Sequence, residues 1–181
     1  MIYLVNRLWG YSPPYRDDIV YGRTLTTNYV HRIKKYLNYY LFDISFLLQV
    51  LDLSKNRINT IEKTAFSKLK ALKALRLDSN NLASMDNLFQ DLTDLSWLNV
   101  SANSISVFDY AMLPRGLTWL DLHQNAIASL GNYFSLEAEF SRLAHIDASF
   151  NRLAELGPQN VPNQVETLLL NDNQIATLGK Q

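Results

Sequence analysis

The chain has 181 residues, enough for one domain, and its 48% apolar and 19% charged content is that of a globular protein. Equal numbers of basic and acidic side chains, 17 of each, remove the electrostatic case for a nucleic-acid partner. With no cysteine, disulfides, thiolate nucleophiles and cysteine metal sites are excluded.

Residues 1–47 carry no periodic pattern. They hold 6 basic and 3 acidic side chains and eight of the ten tyrosines, with Pro13-Pro14 and Arg16-Asp17-Asp18 marking a loop. Met1 to Gly10 contains Asn6 and Arg7 where a signal peptide needs an apolar run, so secretion is not supported by this segment. The most apolar stretch, Tyr36 to Leu53, is interrupted by Asn38, Asp43 and Gln49, and no transmembrane helix is expected. Two readings of residues 1–47 remain: a divergent cap over the first strand, or a disordered segment not native to the fold, such as non-coding sequence read through in a gene model. The abrupt, tyrosine-rich start before an intact pattern favours the second.

From Leu48 onward the chain repeats one unit, typified by Leu120-Asp121-Leu122-His123-Gln124-Asn125-Ala126-Ile127. Its asparagines are Asn56, Asn80, Asn103, Asn125, Asn151 and Asn173, spaced 24, 23, 22, 26 and 22 residues apart. Counting from each asparagine, the positions eight, five and three before it and two and five after it are apolar in all six copies. Thirty such matches in a chain with 48% apolar residues have a chance probability on the order of one in a billion. The pattern is the leucine-rich repeat.

Side-chain direction makes this pattern a solenoid. In each Leu-x-Leu segment the two leucines point inward and the residue between them outward, and successive segments stack as parallel strands about 4.8 Å apart. The asparagine amides can bond the backbone groups that each turn leaves open, so they form a structural ladder. The predicted fold is α/β: a leucine-rich-repeat solenoid with a curved parallel β-sheet on its concave face and short 3₁₀, helical or extended return segments. It is expected to cover residues 48–181 as five complete repeats and a truncated sixth, without cysteine-rich caps. In the longest repeat, Leu136, Phe140 and Leu143 fall at helical spacing.

Residues between the repeat positions carry a more specific resemblance. Trp97 to Asn103 (WLNVSAN), Phe108 to His123 (FDYAMLPRGLTWLDLH), 130–134 (LGNYF), 146–151 (IDASFN) and 161–173 (VPNQVETLLLNDN) resemble the ectodomain of the insect Toll receptor family, in its long-ectodomain subgroup. The resemblance implies a type I membrane receptor that binds a protein ligand or partner receptor at the extracellular face of the plasma membrane and signals through a cytoplasmic TIR domain. This sequence has no signal peptide, cysteine-rich flank, membrane span or TIR domain, so it is expected to supply a piece of the recognition surface and no signalling. A free-standing intracellular repeat scaffold and an inert gene fragment are the alternatives.

The outward columns of the strands are the candidate binding face. One column reads Asp52, Arg76, Asn99, Asp121, Asp147 and Leu169; the other, two residues earlier on each strand, reads Val50, Ala74, Trp97, Trp119, His145 and Thr167. Trp97 and Trp119 should stand side by side as anchors for a partner, flanked by Arg76, Asp121, His123, His145 and Asp147. Asp121 and Asp147 should be neighbours, but on an open sheet a solvated pair or a contact to a basic partner outweighs catalysis. His123 and His145 lie about 13 Å apart along the strands, too far to share a metal. Ser54, Ser101 and Ser149 form no nucleophile elbow, and no phosphate loop is present, so no enzyme, cofactor or metal is expected. Asn99-Val100-Ser101 is the only N-glycosylation sequon, next to Trp97. The uncapped ends, with Leu169 on the last strand, are expected to self-associate.

Overall fold

The computed structural model describes residues 48–133 and 142–179 and the backbone of Tyr3–Leu4. The strands, in chain order, are β1 (Tyr3–Leu4), β2 (Val50–Asp52), β3 (Ala74–Arg76), β4 (Trp97–Asn99), β5 (Trp119–Asp121), β6 (His145–Asp147), β7 (Glu155–Leu156), β8 (Thr167–Leu169) and β9 (Thr177–Leu178). Seven form one sheet in the order β1-β2-β3-β4-β5-β6-β8, while β7 and β9 pair separately. From β2 to β8 the strands are parallel and in unbroken register, so that Leu51, Leu75, Leu98, Leu120, Ile146 and Leu168 face one another in sequence. β1 joins β2 antiparallel, Tyr3 opposite Asp52 and Leu4 opposite Leu51. The rest of residues 1–47, where either a cap or a segment foreign to the fold is expected, lies outside the described residues.

The alternation of the repeat determines what is buried. Leu75, Leu77, Leu98, Val100, Leu120 and Leu122 are fully inside, and the sheet residues between them are half-buried. Each such leucine contributes about 1.5–3 kcal/mol by leaving water. Phe66 and Phe89 stack 6.4 Å apart behind the first two repeats, and Phe108, Tyr110 and Tyr133 pack edge to face behind the next two, at 4.9 and 5.6 Å. The return path is extended or 3₁₀, as at Tyr110–Met112 and Pro158–Asn160, and no α-helix occurs among the described residues. Most of the stretch with helical spacing, residues 134–141, lies outside them. No helix is long and apolar enough to cross a membrane among the described residues.

The asparagine ladder is continuous. Asn103 donates from Nδ2 to the carbonyls of Val100 and Ser101 in its own repeat and of Leu77 in the preceding one, each at 3.0 Å, while its Oδ1 accepts from Leu82 N at 2.9 Å. Asn80, Asn125, Asn151 and Asn173 repeat this arrangement with Ile58, Ile105, Ile127 and Leu153 as donors. Asn56 makes the bonds within its own repeat, to the carbonyls of Leu53 and Ser54.

Asn103→Ala is expected to cost about 1–3 kcal/mol, because it strands buried backbone groups of two repeats. Asn163→Ala, at an exposed return position, is expected to be nearly silent. Thermal melting of the two variants checks this; equal shifts would contradict the ladder.

Candidate binding surface

The sheet's outward face is organised by the register of its strands. Trp97 lies opposite Trp119, and Trp119 opposite His145. The indole rings stack with centroids 4.5 Å apart and planes within 7°, and His145 extends the stack at 5.1 Å and 3°. Three rings thus stand across β4, β5 and β6 like cards on edge, their inner faces covering one another. Each is half-buried for this reason. Aromatic pairs of this kind contribute about 0.5–1.5 kcal/mol beyond area burial.

The second column is more tightly wired than its spacing suggests. Asp52, Asn99, Asp121 and Asp147 each turn one oxygen back to the backbone N–H two residues on, at 2.8–3.0 Å. Ser54, Ser101 and Ser149 add a hydroxyl bond to the same oxygens of Asp52, Asn99 and Asp147. These bonds close the turn out of β2, β4, β5 and β6, so the carboxylates serve the fold as well as the face. Arg76 joins the column as a cation, reaching Asp52 at 3.3 Å and Asp78 at 3.0 Å.

Other expected residues fall elsewhere. His123 leaves the strand line for the following turn, where its Nδ1 meets Ser149 Oγ at 2.8 Å and its ring abuts Phe150 edge-on at 5.0 Å. The Ser149 hydroxyl gives its proton to Asp147, so His123 Nδ1–H must be the donor to Ser149. The wiring runs opposite to that of an activated nucleophile, in which histidine accepts the serine proton, and Ser149 is buried. No metal-binding group of three or more His, Asp or Glu residues occurs among the described residues. Asn99, the sequon residue, has its Oδ1 shared by Ser101 N and Oγ at 2.8 and 2.6 Å.

Two features were not apparent in the sequence. The residue before every ladder asparagine, Lys55, Ser79, Ala102, Gln124, Phe150 and Asp172, has a left-handed backbone with φ between 50° and 58°. Gly or Asn at these places would have been the signal, and neither is there. The other is a buried polar node behind the sheet: the side chain of Asn160 accepts from Gly157 N at 2.7 Å and donates to the Gly131 carbonyl, while Tyr110 Oη donates to the Asn160 carbonyl at 2.7 Å. Burial pushes the Tyr110 phenol well above its ordinary value.

Comparison with known proteins agrees with this architecture. A family model described as leucine rich repeat matches residues 47–105. Toll-like receptor 7 of Drosophila melanogaster is 47% identical over an alignment that covers 73% of this chain and 12% of that protein. Podocan of Mus musculus is 30% identical, covering 87% of this chain and 29% of its own length. Among solved structures, an internalin from Listeria monocytogenes superposes with a TM-score of 0.53 at 23% identity, over 67% of this chain and 34% of that one. The LRIM1/APL1C complex superposes at 0.54 and 24%, over 72% of this chain and 27% of that one. At such identity these two show the fold alone, and the chain spans only a small part of the length of each relative.

Asp121 is the electrostatic weak point of the face. Burial raises its carboxyl above the ordinary value and Asp147 adds to the rise, while the His123 N–H opposes both. Its contribution to stability is therefore present below the ordinary carboxylate value and is lost as pH rises through the raised folded value. Asp121→Asn keeps the acceptor, as Asn99 does on the neighbouring strand, and removes the charge. The variant is expected to melt higher than the parent at neutral pH, the difference closing in acid; a lower melting temperature at neutral pH would contradict the assignment.

Proposed function

This chain is a leucine-rich-repeat protein that resembles insect Toll receptors across its repeats, and we propose that its concave sheet is a protein-recognition surface of a Toll-type receptor ectodomain, acting at the extracellular face of the plasma membrane. The observation that carries the reading is the Trp97–Trp119 stack. Core-facing positions of the repeat already supply the apolar interior, so two tryptophans on adjacent outward positions are surplus to packing. Preformed aromatic anchors concentrate interface energy at little entropic cost, because their rotamers are already held by the stack. In this role the residues around them, Arg76, Asp121, His145 and Asp147, form the polar rim, and His123 with Phe150 borders it.

The end of the sheet supports a second contact. β8 is its last strand, and Leu169 on β8 and Leu178 beyond it are 41% and 75% exposed. An edge strand with exposed apolar side chains is a template for pairing. The full chain is expected to self-associate at high concentration, and Leu169→Lys with Leu178→Lys to reduce this; light scattering that reports a monomer for the parent would contradict it.

A panel of purified extracellular protein domains tests the recognition surface. At least one is expected to bind the chain and to lose about 2 kcal/mol or more of affinity with Trp97→Ala/Trp119→Ala. The melting loss of that variant is expected to be smaller than for the core truncation Leu120→Ala, about 2–5 kcal/mol. Unchanged affinity together with a large melting loss would make the tryptophans structural.

A further inference from the structure

Resting on the concave sheet as a recognition surface, we propose that the half of the face formed by β4, β5 and β6 accepts an arginine- or lysine-bearing extended segment of a protein partner, its basic heads on Asp121 and Asp147 and its aliphatic stems along the Trp97–Trp119–His145 stack.

The argument is one of charge left over. At the β2–β3 end of the column the charges are met: Arg76 bridges Asp52 at 3.3 Å and Asp78 at 3.0 Å. Across β5 and β6, Asp121 and Asp147 face one another in register, and neither has a lysine or arginine partner among the described residues. Each commits one oxygen to its turn, Asp121 Oδ1 to His123 N and Asp147 Oδ1 to Ser149 N. The second oxygen of each has no protein donor among the described residues. Two like charges side by side on a half-buried surface are unfavourable, and a cation placed between them turns the repulsion into attraction.

The aromatic stack determines what kind of cation fits. Because the rings cover one another's inner faces, the stack presents a row of ring edges across β4, β5 and β6, an apolar rail. A rail of that kind suits methylene stems. It runs two residues along the strands from the carboxylate column, about 7 Å away, a span that the long stem of one arginine or lysine bridges while its head stays at the charge. A planar guanidinium can also bond two carboxylate oxygens at once, which an ammonium cannot match in geometry. An acidic or purely apolar partner would leave the two carboxylates unpaired, and such a partner is disfavoured.

The test uses the full chain and a short synthetic peptide of alternating arginine and threonine, with a peptide carrying neutral citrulline in place of arginine as its counterpart. Binding is followed by the indole N–H resonances of Trp97 and Trp119. The arginine peptide is expected to shift both resonances and the citrulline peptide neither. Asp121→Asn/Asp147→Asn, which retains the turn acceptors, is expected to weaken binding tenfold or more. Asp86→Asn/Asp94→Asn removes the same two charges from exposed return positions and is expected to change binding less than twofold. Equal losses from the two double variants, equal binding of the two peptides, or no indole shift would overturn the proposal. A protein partner that loses affinity with Trp97→Ala/Trp119→Ala but not with Asp121→Asn/Asp147→Asn would overturn the basic-segment proposal and leave the recognition surface standing.

Discussion

Each ladder asparagine after Asn56 binds three backbone carbonyls and one N–H, and two of those groups belong to the preceding repeat, as Asn103 does. A backbone carbonyl or amide buried in a solenoid turn has no water to meet it and costs about 1–3 kcal/mol if left alone. The amide of asparagine is a side chain short enough to stay in the turn and able both to donate and to accept there. This single requirement explains why the spacing can vary from 22 to 26 residues while the strand register does not. Length differences are absorbed in the return path, and the ladder holds the turn constant.

The ladder imposes a cost that the rest of the repeat offsets. The residue before each asparagine is held left-handed without glycine, at about 1–2 kcal/mol apiece for ordinary side chains. Such strain persists only where the surroundings over-determine it. The ladder amide locks the end of every such turn, and in four of the six the Asx-type bonds of Asp52, Asn99, Asp121 and Asp147 lock its start as well. The acidic residues that look like a binding surface thus also brace the turns that follow them. This dual use leaves only one oxygen of each carboxylate for a partner.

Once the register is constant, neighbours on the outward face follow. Trp97, Trp119 and His145 stack because they occupy the same place on successive strands, and Asp121 meets Asp147 for the same reason. The face is nevertheless not uniform. Arg76 satisfies the acids at one end, whereas the aromatic end keeps its negative charge on β5 and β6, two of the three strands that carry the stacked rings.

The periodic leucines and asparagines determined the fold, the parallel order and the register, since a period-two strand repeated behind one asparagine admits a single stacking. They also determined that Trp97 and Trp119 are neighbours, which follows from register alone. What they could not determine is how polar side chains divide between backbone and solvent. Asp121, Asp147 and Asn99 read as outward-facing groups, and only the folded turn shows each bonded two residues ahead. His123 read as part of the face, and the turn moved it to Ser149. The Tyr110–Asn160–Gly131 node joins residues far apart in sequence with no shared pattern, so nothing periodic could announce it. Periodicity encodes the direction of side chains along an element, which is a local property; hydrogen-bond partners are chosen by the three-dimensional proximity that folding creates.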